Sequence, residues 1–462
     1  VTTNGNPPTP TTKAHARRPP PKPEPPAHRP RGNLAYSMGA MGLCMPRKLQ
    51  STSKELIPEK KLVDSLKRNC VPGLSIAWFR NGNLYTQTAG AAVTSGNATA
   101  KTKELMTSKT FLEIASLSKT VASAFAIEYF SSRNISLDTP VKKLLKDLNA
   151  EFQLESKAGQ PKEWAEQVLL KHLMDHTGLG MHYVYGIPLS DPMPRPIELM
   201  RGNPKYGYPK LKVEKKPGTK FGYSGGGFIM LQYIIELMES KPIEEVMKPF
   251  LEKCGMADFS INCKTVPNKP YASGYLDGDG KEVENGRLMF PSYAAGMMGA
   301  PADLAKFLIH LGKAYKDADV GAPISHATAK HMLRPGKERG SQKFMGAGMG
   351  LGVFIAKAGP NKIALHQAAN DGFRGLYVMV FDGPDAKKGP TGFVLLSNGN
   401  NNAMFLNCEV SRMALEALRL RGVDFSRVDG EKKSSGFQIK EIKQEEIVNR
   451  GLKEMVFDAF ED

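Results

Sequence analysis

A chain of 462 residues with 41% apolar residues can bury a large core, in one big domain or in two to three ordinary ones, and is far from disordered. Its net charge is +17, but residues 1–50 hold eight Lys/Arg against Glu24 alone, leaving only +10 for the rest. No Lys/Arg run carries interleaved aromatics, so no nucleic-acid partner is expected. No apolar run reaches the roughly 18 residues of a membrane span, so no transmembrane segment is expected either.

Residues 1–33 contain ten prolines and almost no large apolar side chain. This basic, Pro-rich tail, taken as 1–50, reads as a disordered spacer, and it leaves room for a protein partner that recognises proline-rich segments. Leu34–Met45 follows the basic stretch as the apolar part of a signal or transit peptide would, although it is too short to span a bilayer. The chain opens on Val1, so an upstream segment is compatible with it.

The ordered body, 55–420, begins with an amphipathic helix near Leu56, where Leu and Val recur at a spacing of three to four. Leu74–Arg80 and Leu84–Thr88 then flank Asn81-Gly82-Asn83, and Asn-Gly between alternating segments predicts a hairpin. The middle is helical, with helices expected over 118–131, 164–175, 227–239, 243–253 and 302–314. Strands return at 349–358, 362–367, 374–382 and 391–397, and an amphipathic helix follows at 403–420. Strands at both ends with helices between predict an α+β fold, an antiparallel sheet completed by both chain ends with a helical region inserted. Residues 421–462 form a charged extension with a candidate helix at 438–460.

Cys44, Cys70, Cys254, Cys263 and Cys408 are odd in number and show no C-x-x-C spacing, which supports neither a zinc site nor a disulfide scaffold. Asn97-Ala-Thr99 and Asn134-Ile-Ser136 fit the glycosylation sequon, a triplet common by chance. Nothing here establishes secretion, and the expectation is a cytosolic or organellar chain.

Three motifs resemble sites but lack their context. The glycine run Gly346–Gly352 has no strand before it and no helix after it, as a dinucleotide loop requires, and reads as bends in a strand. His172 and His176 lie four apart, but Leu173 stands where a zincin carries Glu, and no third ligand follows. Asp277–Lys281 starts like a calcium loop without the later ligands and reads as a turn. No metal and no cofactor are expected.

Two serines compete for a nucleophilic role. Gly222-Tyr-Ser-Gly-Gly226 matches G-x-S-x-G, but Pro217-Gly218 just before it is a turn signal rather than the buried strand that a nucleophile elbow needs. Ser116-Leu-Ser-Lys119 is S-x-x-K at the head of an apolar helix, which puts Ser116 and Lys119 on one face, a turn apart. Ser51–Lys54 matches the same pattern in poor context. Burial of Lys119 lowers its pKa and suits it to proton handling, and the helix N-terminus favours an oxyanion at Ser116. A helix cap with a snorkelling lysine satisfies the local motif equally well.

Several stretches together resemble the serine β-lactamase and penicillin-binding-protein superfamily, in particular its class C β-lactamase, D-aminopeptidase and esterase branch. SLSK at 116–119 looks like its first motif, GYSG at 222–225 stands where Tyr-x-Asn is expected, and HQA at 366–368 looks like Lys/His-x-Gly. Flanking phrases agree in order: VPGLSIAWFRNG at 71–82, LDTPV at 137–141, LLKHLMDHTGL at 169–179, PGTKFGYS at 217–224, AAGMMGAPADLAKFL at 294–308 and LLSNGNN at 395–401. The resemblance implies a serine hydrolase without cofactor, acting on a small-molecule acyl substrate through an acyl-enzyme on Ser116.

By that resemblance Lys119 and Tyr223 manage the proton, with Tyr223 as general base held near its working pKa by the lysine cation. The backbone N–H groups of Ser116 and Ala369 make the oxyanion hole, while His366, Ala368 and Asn370 line the substrate side. His366 is placed to bond the tyrosine or the substrate. The second motif ends in Gly225 where the family carries Asn, and the third in Ala368 where it carries Gly. Both departures, with His at 366, point toward an ester or small amide rather than a β-lactam. A D-amino-acid peptidase, an acyltransferase and a catalytically weak scaffold or interaction protein are the alternatives; the oligomeric state is not determined.

Overall fold

The computed structural model describes residues 55–94, 103–180, 182–262, 268–277, 280–317, 323–336 and 347–420. The expectations for the tail, for the extension with its helix at 438–460, for Cys44, Cys263 and Asn97, and for Ser51–Lys54 lie outside the described residues, as do parts of the Gly346–Gly352 and Asp277–Lys281 runs.

Twelve strands are present among the described residues: β1 (Gly73–Arg80), β2 (Asn83–Val93), β3 (Glu104–Leu105), β4 (Leu112–Glu113), β5 (Ile187–Pro188), β6 (Leu288–Met289), β7 (Met298–Gly299), β8 (Gly348–Met349), β9 (Phe354–Ala358), β10 (Asn361–Asn370), β11 (Phe373–Asp382) and β12 (Thr391–Ser397). The helices are α1 (Glu59–Asn69), α2 (Ser118–Ser131), α3 (Val141–Asp147), α4 (Trp164–Gln167), α5 (Leu170–Met174), α6 (Pro196–Met200), α7 (Gly225–Glu239), α8 (Ile243–Lys253), α9 (Pro301–Lys316), α10 (His326–Met332) and α11 (Asn401–Ala417).

The hairpin forms as predicted, with Asn81 and Gly82 both at positive φ (53° and 78°), the conformation a two-residue turn between right-twisted strands requires. The main sheet has the order β3-β2-β1-β12-β11-β10-β9-β8, and its pairings are antiparallel. β1 therefore lies against β12, and the two ends of the body close one sheet around the helical insertion.

Strand periodicity explains the two cores. In β11, Leu376, Val378 and Val380 face the cluster that includes Leu62, Leu66, Leu406 and Val410 of α1 and α11. Tyr377, Met379 and Phe381 face the larger cluster with α2 and α9. Because both faces are covered, β11 and β12 read as continuous apolar runs rather than as alternating ones. Helix α2 is buried from Ser118 to Phe130 except at Glu128, as its apolar circumference predicts.

Two expected elements are interrupted. The helix over 164–175 divides into α4 and α5, because Val168 is extended and its carbonyl accepts from Val141 N–H at 2.8 Å. The strand over 349–358 divides into β8 and β9 around Gly350–Val353. Here Gly352 takes φ +68° against α2, where an added Cβ would stand 2.1 Å from Ser123 Oγ and 2.6 Å from the Lys119 carbonyl oxygen. Thr120 Oγ1 donates to the Gly352 carbonyl at 2.8 Å, so the glycine run holds the loop against the helix that carries Lys119.

Candidate active site

The nucleophile candidate is presented by a strained turn. β4 pairs with β7, Ile114 N–H donates to the Met297 carbonyl at 3.0 Å, and Ala115 then takes φ +44°. A non-glycine residue in that region costs on the order of 1–3 kcal/mol and persists only where its surroundings impose it. Ser116 follows in the 3-10 turn Ala115–Leu117 and remains partly open, while both its neighbours are buried.

Lys119 sits in the first turn of α2, 1% exposed, with Nζ 3.1 Å from Ser116 Oγ. Nζ also donates to the Ala294 carbonyl at 2.6 Å. That carbonyl belongs to the π-helical turn Ser292–Gly296, so the phrase at 294–308 has a local purpose. No carboxylate pairs with Lys119 among the described residues, and burial alone lowers its pKa from 10.5 to about 7.

Tyr223 precedes α7, and its phenol shares a hydrogen bond with Ser116. Lys119 Nζ lies 4.8 Å from the centre of its ring. The His176 ring packs against the other ring at 4.3 Å, and His176 Nδ1 accepts from Ser224 N–H at 3.0 Å. That acceptor role makes Nε2 the protonated nitrogen of a neutral imidazole, consistent with a pKa driven far down by burial and the lysine charge. The HTGL phrase thus forms the platform under Tyr223. His172 turns away, with Nδ1 accepting from Leu169 N–H at 3.2 Å. Ser224 is the N-cap of α7: its Oγ accepts from Gly227 N–H at 3.2 Å and lies 3.3 Å from His182 Nδ1, a buried capping role rather than a nucleophile's.

The electrostatics differ from those the resemblance implied. A lysine cation was expected to hold the Tyr223 phenol near neutrality, but burial pushes the phenol upward despite the Ser116 hydrogen bond. Desolvation thus acts in opposite directions on the two groups, favouring the neutral amine of Lys119 and the neutral phenol of Tyr223.

The third motif occupies the far half of β10. Pairing with β9 ends at Leu365, so the outer edge of 366–370 faces the cavity containing Ser116. His366 is buried with Nδ1 2.7 Å from the Gln367 carbonyl; Nε2 has no hydrogen-bond partner, and burial lowers its pKa to about 3. Its ring centre is 6.4 Å from that of Tyr223, and of the two expected partners, the tyrosine or the substrate, the tyrosine is not bonded to it among the described residues. The Ala368 methyl packs in the main core opposite Gly375, which takes up the extra carbon. Ala369 is exposed at the cavity.

Asn370 lines the same cavity, with its side-chain amide engaged on the protein. Its Nδ2 donates to Glu113 Oε2 at 2.6 Å and to the Ala295 carbonyl at 3.1 Å, so this side chain ties β10 to the nucleophile turn. Glu113 is fully buried and pushed up to about 8, chiefly by desolvation. Arg374 braces the same corner: its guanidinium donates to the carbonyls of Asn370 and Phe373 and to the Asn400 side chain. Glu113, Ala294 and Arg374 escaped residue-by-residue reading, and His176 was weighed only as a metal ligand; the phrases at 169–179 and 294–308 carry the only trace of His176 and Ala294.

The cavity of about 530 Å³ holds Ser116, Lys119, Tyr223 and His366 at one end, with Tyr183, Val184, Phe290 and Phe354 among its walls. Gly225 is set by packing: a Cβ there would lie 2.6 Å from Val184 Cγ1. Gly225→Asn is expected to cost about 1–3 kcal/mol, read as a lower urea midpoint with an unchanged m-value. An undiminished midpoint would show that the 182–184 segment moves aside freely.

A serine in contact with a buried lysine and a tyrosine, on a sheet closed by both ends of the body, is the arrangement of a serine β-lactamase and penicillin-binding-protein type of domain. The chain belongs to the Beta-lactamase family, whose model matches residues 58–414. Solved structures with the same fold include D-amino acid amidase from Ochrobactrum anthropi complexed with D-phenylalanine (21% identity, 78% of this chain and 98% of that one, TM-score 0.59). The octameric penicillin-binding protein homologue from Pyrococcus abyssi is similar at 22% identity over 78% of this chain and 76% of that one, with TM-score 0.56. A class C beta-lactamase mutant matches at 19% identity over 80% of this chain and 100% of that one, also with TM-score 0.56.

Proposed function

We propose that this protein is a serine hydrolase that cleaves an ester or small amide through an acyl-enzyme on Ser116. The observation that carries this reading is the 3.1 Å contact of a buried lysine, its pKa lowered to about 7, with Ser116 Oγ. Lys119, as a neutral amine, takes the Ser116 proton while Oγ forms its bond to the acyl carbon. Tyr223 stays protonated, holds Oγ by its hydrogen bond and hands a proton to the departing alkoxide or amine as the acyl bond breaks; Lys119 resupplies it. The N–H groups of Ser116 and Ala369 receive the carbonyl oxygen. Water attacking the acyl-enzyme then releases a carboxylic acid and restores the serine.

An ester is favoured over an amide because Val184 packs where a longer side chain at 225 would present an amide-recognising group. A fluorophosphonate probe followed by peptide mapping tests the assignment. The expected adduct is on Ser116 and is absent in Ser116→Ala. An adduct on Ser224 would overturn the nucleophile, and a folded protein that takes no label would favour a non-catalytic scaffold.

A further inference from the structure

Behind β6 lies a second cavity of about 1310 Å³, separated from the catalytic one by the chain at 289–291. Phe290 lines the first, whereas Met289 and Pro291 line the second. Its polar feature is Arg287, 9% exposed, with the guanidinium centre 4.8 Å from the centre of the Tyr271 ring. Among the described residues Nε has no hydrogen-bond partner and the guanidinium belongs to no ion pair. A desolvated cation without a counter-charge is costly to keep.

The acids nearby do not compensate it. Glu113, the buried carboxyl that feels its field, is pushed up to about 8 and is largely neutral at pH 7. At the cavity wall, Glu236 is also raised by burial and accepts from Gln232 Nε2 and Ile243 N–H. Asp191 is held by Lys205 and Tyr206. The remaining lining includes Leu189, Met193, Leu199, Ile229 and several prolines, beside the charged side chains Lys241, Glu244 and Arg195, the last paired with Glu198.

We propose that this cavity is a second ligand site for an amphipathic carboxylate, its apolar body on the Leu/Met/Ile wall and its head paired in two-point fashion with Arg287. A planar guanidinium braced on an aromatic face suits a carboxylate better than a point charge would. The inference is independent of the chemistry at Ser116, so it is tested on Ser116→Ala protein by calorimetric titration with octanoate, with octanol and inorganic phosphate as controls.

Octanoate is expected to bind Ser116→Ala protein, and Arg287→Gln added to that background should weaken it about 10- to 100-fold. Removing an unpaired buried cation should leave the fold at least as stable. Met193→Trp, which fills the apolar wall, should weaken octanoate while leaving the guanidinium in place. Octanoate affinity unchanged by both variants, or octanol or phosphate binding as tightly as octanoate, overturns the proposal. So does loss of octanoate binding when Ser116 of the wild type carries the fluorophosphonate label.

Discussion

Lys119→Met is expected to slow fluorophosphonate labelling of Ser116 by on the order of 10²–10⁴-fold, the range for removing a positioned general base. The wild-type rate should rise with pH through about 7, where the buried amine loses its proton, and the methionine variant should lack that rise. The same shift predicts a stability signature. Lys119 titrates at about 7 in the fold against an ordinary value of 10.5, so between those values the unfolded chain binds the extra proton and stability rises with pH. Glu113 opposes it below about 8, because its folded pKa is raised from 4.5 and the fold binds the extra proton there. The difference between wild type and Lys119→Met in urea unfolding isolates the lysine, and it should grow in favour of the wild type from pH 7 to 10. A pH-independent difference would mean that the amine stays charged in the fold and is no base.

On the proton-donor role proposed for Tyr223, Tyr223→Phe should lower hydrolysis of a simple alkyl ester, whose alkoxide must be protonated as it leaves, by roughly 10²-fold or more. The ring keeps its contact with His176, so the stability loss should be only about 1 kcal/mol, that of one hydrogen bond. The rise of rate through pH 7 should survive in this variant, because it belongs to the amine. If instead the rise vanished in Tyr223→Phe and persisted in Lys119→Met, the phenolate would be the base and the proton assignment here would be wrong.

These two experiments address a distinction that local sequence could not make. Ser116 and Lys119 lie one helical turn apart, so their proximity is legible from S-x-x-K and the apolar helix after it. The Asn81-Gly82 hairpin and α2 were equally legible, because turn chemistry and helix periodicity act over a few residues. The division of 164–175 was not, since the strand-like pairing of Val168 with Val141 connects segments 27 residues apart. Nor was the packing around Lys119 and Tyr223: the amine donates to the Ala294 carbonyl in the turn at 292–296, and the phenol ring lies against His176, contacts between segments far apart in the chain.

Asn370 shows the same limit from the other side. It was expected on the substrate side and does line the cavity, but its amide also reaches Glu113, 257 residues away in the chain, and so ties β10 to the turn that carries Ser116. The second cavity had no sequence signature at all, because the unpaired state of Arg287 is a property of what failed to come near it. By itself, then, the sequence determined the family, the α+β plan and the serine-lysine pair, all carried by short-range spacing and ordered motifs. Only the tertiary structure decided what surrounds Lys119 and Tyr223, what packs against Gly225, what Asn370 binds, and which cavity Arg287 lines. Those are questions of solvent exclusion and contact between distant segments, which no local pattern encodes.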